Sequence, residues 1–257
     1  MVFSLTRLTT GSPLSVGLSK KRKTLCRSSF HGGLRSEAEI QTDICRRQKS
    51  VEQEPFNMYI GENFNVSFHQ NFFFWKHLDN NLTGGLIHSE FVPNKKFANM
   101  MISKSAQKIL DVPNAGGNSV ISEVLSFEFL NKAFKAELVK TEMEVSYFPE
   151  GGSITDYVCQ ISDRKVGVSV TRAMKYKAAY TEEDAHHLLT KKLKGVNQSS
   201  RNTLEKWSKQ ILHIWAPNNH TANVIAMVYY QLADNIRSNT IVMITKSSRS
   251  PFIYTNK

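Results

Sequence analysis

Apolar and polar residues recur along the chain with two periods, and from about residue 95 onward these periods predict regular helices and strands. Residues 95–110 show the helical period on one face. Residues 118–135 are apolar on most faces, which predicts a mostly buried helix. Three β-type runs follow, at residues 138–148, 153–162 and 166–173.

The remaining C-terminal half alternates between the two periods. The sequence predicts a helix over residues 181–194, with Gly195 as its C-cap, and a short helix over residues 202–209. A strand at 211–216, a helix at 220–237 and a strand at 240–245 complete the pattern. The order is therefore αβββαβαβ, which predicts an α/β domain with a mixed sheet flanked by helices.

Two segments precede this domain, which we delimit as residues 95–257. Residues 56–94 are rich in aromatic residues, which require burial, and we expect an extension packed on the core. Stacking of these rings on nucleobases is the alternative use. Residues 1–55 are polar and basic and predict a disordered tail or a targeting segment.

The N-terminal tail bears on localisation. It has no acidic residue before Glu37 and many hydroxyl side chains, as in a mitochondrial transit segment. The basic cluster at residues 20–23 is equally typical of a nuclear localisation signal. We expect an intracellular protein of the nucleus or the mitochondrion.

Charge and composition narrow the function classes. The net charge of +11 favours a polyanionic partner, and nucleic acid is the commonest one, although a solvated basic surface explains the charge equally well. No apolar run approaches the roughly 18 residues of a membrane helix, so no membrane partner is expected. Three cysteines without a CxxC pair argue against a disulfide framework or a cysteine zinc site. Walker A, GxGxxG, GxSxG and HExxH motifs are absent from the sequence.

A few acidic residues stand where chemistry is expected. Glu123 and Glu128 lie on the apolar helix, and Asp156 lies on the second β run beside apolar neighbours. The third run presents small residues, Ser169 and Thr171 among them, on one face. Each acid also has a structural interpretation, as a solvated helix edge or as an acceptor for turn amides. His213, inside an apolar strand, is interpreted as a core histidine rather than a base.

The element order, with an acid on the first helix and an aspartate on the second strand, resembles the PD-(D/E)XK nuclease-like superfamily over about residues 95–250. The resemblance implies a restriction-endonuclease-like core and a Mg²⁺ or Mn²⁺ site for phosphodiester hydrolysis in DNA or RNA. Asp156 matches the family's metal-binding aspartate, and Glu123 or Glu128 matches the helix acid. The third strand departs from the family's V-E-V-K pattern, because Ser169 and Thr171 stand where its Glu and Lys are expected.

This departure leaves two hypotheses: a metal-dependent nuclease with a degenerate site, or an inactive nuclease-fold module that binds nucleic acid or a protein partner. We take Asp156 and Glu123 as candidate metal ligands. The candidate catalytic set comprises Asp156, Glu123, Glu128, Gln160, Ser169 and Thr171. Compensation for the lost charges is sought among Gln160, Arg172, Lys165 and Lys175. The candidate nucleic-acid contacts are Lys191, Lys192, Lys194 and Arg172, although lysines near a helix C-terminus also complement the helix dipole.

Overall fold

A computed structural model describes residues 56–59, 61–68, 71–113, 115 and 119–255. The predictions for the N-terminal tail, including its targeting signals, lie outside these residues. In the described part of the chain, no helix is long and apolar enough to cross a membrane.

The described residues form one mixed sheet with the strand order β1-β2-β3-β8-β7-β6-β5-β4. The four central strands, β3, β8, β7 and β6, are mutually parallel, and the outer strands on both sides pair antiparallel. The strands are β1 (Phe56–Tyr59), β2 (Phe64–Phe68), β3 (Gly85–Pro93), β4 (Glu137–Thr141), β5 (Tyr157–Ile161), β6 (Arg164–Arg172), β7 (Lys209–Ala216) and β8 (Thr240–Lys246).

Helices cover both faces of this sheet, as the alternation of two hydrophobic clusters along β7 shows. The helices are α1 (Asn71–Asp79), α2 (Lys104–Asp111), α3 (Val120–Phe134), α4 (Glu182–Asn202), α5 (Asn219–Gln231), α6 (Asp234–Arg237) and α7 (Pro251–Thr255). Ile211 and Trp215 belong to the cluster that contains α3, whereas Leu212 and Ile214 belong to the cluster that contains α4 and α5. The predicted α/β class with a mixed, helix-flanked sheet is confirmed, and the elements from α3 to β8 follow the predicted order.

Helix α3 is buried on nearly all sides, with eleven of its fifteen residues inaccessible, as its apolar composition predicts. Its Ser126 hydroxyl lies 2.8 Å from the Tyr157 hydroxyl and 2.7 Å from Nδ1 of His213. The other ring nitrogen of His213 lies 2.7 Å from the Thr245 hydroxyl, which in turn contacts Ser89. This chain of hydrogen bonds joins α3 to β5, β7, β8 and β3. His213 is fully buried, as expected of a core histidine, and burial lowers its pKa to about 3.

The aromatic segment is more closely integrated than an extension packed on the core. Its strand β3 pairs in parallel with β8, so residues 56–93 supply one side of the sheet. Phe64, Phe68 and Phe74 are buried, whereas Phe73 and Trp75 keep 38% and 39% of their surface exposed. Core packing therefore accounts for most of the described aromatic side chains.

Local hydrogen bonds explain two of the element boundaries that were wrong. The helix expected from residue 95 begins at Lys104. Phe97–Asn99 form a short 3₁₀ turn, and the Asn63 side chain bonds both backbone groups of Met101, which keeps that residue out of the helix. The strand expected to reach residue 148 ends at Thr141, where the Glu144 carboxylate accepts from the Thr141 amide and starts a 3₁₀ turn.

Two more helix predictions were also wrong. Residues 203–208 are not helical, and Thr203 forms an isolated bridge with Tyr147. The single helix expected at 220–237 is divided into α5 and α6, because the chain leaves the helical conformation at Leu232 and Ala233.

A buried lysine anchors the loop between α1 and β3. Nζ of Lys209 donates to the carbonyl oxygens of Asn80 and Thr83, at 2.6 and 2.7 Å. The side chain is completely buried. Burial, aided by the positive charge of Arg164, lowers the pKa of Lys209 to about 8.

We expect this lysine to make stability depend on pH in a defined window. Between the folded pKa of about 8 and the ordinary value of 10.5, the unfolded chain binds a proton that the folded chain does not. The free energy of unfolding of the wild type, relative to Lys209→Met, should therefore rise by about 1.4 kcal/mol for each pH unit, roughly 3 kcal/mol over the window. Urea unfolding from pH 7.5 to 10.5 measures this. The exposed Lys206→Met is the control, and an equally flat difference for both variants would contradict the prediction.

Candidate active site

The first turn of α3 carries Glu123 to the carboxyl edge of the parallel strands. Near the end of β7, the Trp215 indole donates to the Ser122 carbonyl at 3.1 Å, which fixes the start of the helix on the sheet. The Ser119 hydroxyl donates to Oε1 of Glu123 at 2.6 Å. Glu123 is only 4% exposed, so its carboxylate is oriented in a largely dry environment.

Asp156 lies immediately before β5, beside the middle of β6. Its amide donates to the Val168 carbonyl at 3.0 Å, and its Oδ2 accepts from the Val170 amide at 2.6 Å. These two bonds close the entry into the antiparallel pair and fix the carboxylate against the β6 backbone. The side chain is partly buried.

The two carboxyl groups lie close enough to influence each other strongly. Burial is the main cause that raises the pKa of Asp156 to about 8, and the charge of Glu123 is the next. Burial likewise raises the pKa of Glu123, against the opposing hydrogen bond from Ser119. Two acids in one weakly solvated site resist simultaneous ionisation, as a site that accepts a cation would.

Further charged groups border the pair. The Glu142 carboxylate adds to the raised pKa of both acids, whereas the Lys192 ammonium lowers the pKa of both. Arg172 also lowers the pKa of Glu123, and its guanidinium donates to the Ile253 and Tyr254 carbonyls at 3.2 and 3.3 Å. The sequence predicts Lys192 only as a nucleic-acid contact and gives no signal for Glu142.

Helix α4 does not end at Gly195 as predicted but continues to Asn202. A Cβ at Gly195 would lie 2.9 Å from the Ser153 hydroxyl, so this glycine serves the close approach of α4 to the segment leading into Asp156. One turn further along the helix, the side-chain Oε1 of Gln198 accepts from the Ser153 backbone amide at 3.3 Å. Lys192, three residues before Gly195, lies on the same side of the helix. The capping box at Thr181 correctly predicts where α4 begins. The sequence contains no signal that Gly195 allows α4 to pack closely against the segment at Ser153.

Other sequence-derived candidates lie elsewhere. Glu128 is fully buried, and its Oε1 accepts from the Ser103 amide at 2.8 Å, so it supports the start of α2. Gln160 donates to the Ser162 carbonyl in the β5–β6 turn. Lys165 and Lys175 are engaged with Glu205 and Asp184.

Ser169 and Thr171 lie on the face of β6 that is turned away from α3. Val168 and Val170 belong to the cluster around α3, so the intervening residues point to the α4 side. Ser169 is 7% exposed and pairs with Leu212, and Thr171 pairs with Ile214. Lys191 and Lys194 of α4 are exposed.

The donor set suits a hard divalent cation but is small. Carboxylate oxygens are the ligands that Mg²⁺ prefers, and Glu123 and Asp156 each hold one oxygen in a described hydrogen bond that orients the other. Across the described ranges, no three His, Cys, Asp or Glu side chains converge at metal-binding distance. Two carboxylates therefore fit a Mg²⁺ or Mn²⁺ that keeps most of its water ligands.

The fold and site define an α/β protein with a paired-carboxylate site at the edge of a mixed sheet, and comparisons with known proteins add the following. No protein-family model matches the chain. Over 191 residues it is 41% identical to the AAC-rich mRNA clone AAC4 protein of Dictyostelium discoideum, covering 71% of this chain and 28% of that protein. The chain thus spans less than a third of that relative's length. A solved structure of SfsA from Pyrococcus furiosus with Ca²⁺ aligns at 11% identity, over 75% of this chain and 87% of that one, with a TM-score of 0.28. A structural similarity this low supports no conclusion about fold or function.

Without metal, the stability of a variant that lacks the Asp156 carboxyl group should increase relative to the wild type as pH rises. Between the ordinary value of 3.8 and about 8, the folded state holds a proton that the unfolded state releases, so wild-type stability falls with pH. Asp156→Asn removes this loss, and its advantage should grow toward pH 8 by up to about 1.4 kcal/mol for each pH unit. Chemical unfolding in EDTA between pH 4 and 8 measures the difference. Asp163→Asn, at a side chain 81% exposed, is the control. A constant difference between wild type and Asp156→Asn would contradict the prediction.

Proposed function

We propose that Glu123 and Asp156 bind Mg²⁺ or Mn²⁺ and that the site hydrolyses phosphodiester bonds in nucleic acid, in a nuclease-like reaction. The observation that carries the proposal is the pair of acids at a sheet edge that basic groups border: Glu123 is buried, Asp156 is partly buried, each carboxylate is held by a hydrogen bond, and both have raised pKa values. Such an arrangement is costly for folding and is typical of functional sites. The element order from α3 to β8 supports the nuclease-like interpretation.

Each neighbouring group has a role in this proposal. A bound divalent cation lowers the pKa of an attacking water and stabilises charge on the scissile phosphate. The Ser119 hydroxyl and the Val170 amide hold the two carboxylates in orientation. Lys192 supplies the ammonium that Thr171 lacks and neutralises a phosphate oxygen. Lys191 and Lys194 are proposed to contact flanking phosphates from the exposed side of α4.

The loss of charge on β6 favours a second candidate, an inactive nuclease-fold module that binds nucleic acid or a protein partner. Ser169 supplies no third carboxylate, and Thr171 cannot replace an ammonium. Such a module would bind nucleic acid without a requirement for metal, and the following experiment separates the two functions.

We expect calorimetry to detect binding of Mn²⁺, and more weakly of Mg²⁺, to the wild type. Asp156→Asn should weaken Mn²⁺ binding at least about tenfold, because it removes one of two charged ligands. Asp163→Asn, an exposed aspartate outside the site, is the matched control. Cleavage of labelled DNA and RNA in Mn²⁺ should disappear in Asp156→Asn alone. Absence of Mn²⁺ binding to the wild type would contradict the metallonuclease proposal and favour the inactive nuclease-fold module.

Lys192→Met should change metal binding and cleavage in opposite directions. Removing the ammonium takes away a positive charge near both carboxylates, so Mn²⁺ affinity should rise by about threefold or more. Cleavage should fall roughly a hundredfold, because a charge aimed at the transition state is lost. Arg201→Met removes a charge from the exposed end of the same helix and is the control, and Lys192→Arg should restore part of the activity. If Lys192→Met behaves like Arg201→Met in both assays, the role assigned to Lys192 is wrong.

A further inference from the structure

The register of β4 and β5 brings a third acid to the carboxylate pair formed by Glu123 and Asp156. The last described pair of these antiparallel strands joins Thr141 to Tyr157. The backbone of Thr141 is extended, with ψ of 171°, so the strand direction is kept up to Glu142, where a 3₁₀ turn begins. One position beyond the last pair, Glu142 and Asp156 therefore lie opposite each other. Opposite residues of an antiparallel pair have Cβ atoms about 5 Å apart.

The Glu142 carboxylate is oriented by a hydrogen bond to the backbone. Its Oε2 accepts from the Ala115 amide at 2.7 Å, in the segment that leads from α2 to α3. The side chain is half-buried at this position. The bond at one oxygen orients the other, as the bonds from a hydroxyl and an amide do in the carboxylate pair. The same pattern thus occurs at three carboxylates on one edge of the sheet.

Two glutamates of this 3₁₀ turn differ in how their charge is compensated. The carboxylate of Glu144 forms an ion pair with the Lys108 ammonium at 2.6 Å. No lysine or arginine among the described residues forms an ion pair with Glu142. Burial is the main cause that raises the pKa values of the carboxylate pair, and the charge of Glu142 adds to both. The charge of Glu142 therefore acts on the site.

Charge balance favours a further carboxylate in the proposed metal site. The cations Lys192 and Arg172 both act electrostatically on Glu123. A divalent ion adds two positive charges, so two carboxylates alone would leave an excess of positive charge in a weakly solvated place. Such an excess is costly where water is scarce. Glu142 supplies negative charge that reduces it.

The spacing of the acids favours a contact through water. In the described part of the chain, no three His, Cys, Asp or Glu side chains converge at metal-binding distance. Mg²⁺ usually keeps several waters and is bound through one or two carboxylates. Groups that accept hydrogen bonds from the ligands of a metal fix those ligands and raise the affinity for the ion. A carboxylate opposite Asp156 is suited to this position.

We propose that Glu142 is the third carboxylate of the metal site and holds the divalent cation by accepting a hydrogen bond from one of its bound waters. This role rests on the proposed function, because it assigns Glu142 to the site formed by Glu123 and Asp156. The water that Glu142 holds lies on the side of the ion that faces the end of β4. The reach of the Glu142 side chain is therefore needed as well as its charge.

Two substitutions separate the charge of Glu142 from its reach. Glu142→Gln removes the charge, while its side-chain oxygen can still accept from the Ala115 amide. Glu142→Asp keeps the charge and shortens the side chain by a methylene group. Glu137→Gln makes the same change of charge at the exposed opposite end of β4 and is the control. Binding of Mn²⁺ is measured by calorimetry, and thermal unfolding in EDTA verifies the fold of each variant.

We expect Glu142→Gln to weaken Mn²⁺ binding about tenfold and Glu137→Gln to leave it unchanged. Glu142→Asp should weaken binding at least about threefold, because the shorter side chain loses the hydrogen bond to the water. Wild-type affinity in Glu142→Asp would overturn the proposal, since charge alone would then explain the effect. Equal binding by Glu142→Gln and Glu137→Gln would overturn it as well.

A second measurement distinguishes contact through water from direct ligation. Luminescence lifetimes of bound Eu³⁺ in H₂O and D₂O count the waters on the ion. Glu142→Gln should leave this count unchanged, whereas Asp156→Asn should raise it by about one, because Asp156 is a direct ligand. An additional water in Glu142→Gln would overturn the proposed contact in favour of direct ligation.

These experiments also separate this role from the proposed function. If Asp156→Asn loses Mn²⁺ binding while Glu142→Gln binds like the wild type, the role of Glu142 is wrong and the proposed metal site stands. If the wild type binds no Mn²⁺, both are wrong.

Discussion

The structure depends on the burial of α3, a helix that has no solvated face wide enough for its polar side chains. Four of its buried residues, Ser122, Glu123, Ser126 and Glu128, are polar or charged. Ser122 and Glu123 bond to Ser119 at the N-terminus of the helix itself. Ser126 bonds to Tyr157 and His213, and Glu128 accepts from Ser103, so these two residues fix the rotation and register in which the helix docks. Apolar packing alone would tolerate other rotations, since the helix is hydrophobic on most sides. The polar bonds therefore set where Glu123 emerges.

The hydrogen bonding of the buried polar groups on α3 continues into the sheet through His213. Both of its ring nitrogens contact hydroxyls, so the neutral ring must donate on one side and accept on the other. Its low pKa keeps the ring neutral at ordinary pH, and a charged ring at this depth would have no anionic partner in the chain of hydroxyls. Because the chain joins α3 to three parallel strands, it couples helix position to strand register. That register places the end of β7, and hence Trp215, under the first turn of α3.

The sequence predicted the order of elements from α3 to β8, because burial leaves a strong apolar period that local propensity does not contradict. It also singled out Asp156 and Glu123 as candidates, and the charge of Glu123 raises the pKa of Asp156. Glu128 was an equal candidate, since both acids lie on one apolar helix, and its contact with Ser103 gives it a structural role that the sequence did not indicate. The prediction that α4 ends at Gly195 was wrong for a physical reason. A glycine after lysines is typical of a helix end, but here it permits close packing, a cause that exists only once Ser153 is opposite.

The position of α4 has a consequence for the charge of the site. The side chains of Ser169 and Thr171 put no charge on the α4-facing side of β6, and Lys192 of α4 is a cation that lowers the pKa of both Glu123 and Asp156. The Lys192 ammonium acts on the two acids from a half-buried position on the helix. With two carboxylates and a cation nearby, the pair would attract a divalent ion less strongly than three acids would. The raised pKa of Asp156 expresses the same balance, because burial and Glu123 together outweigh the opposing influence of Lys192.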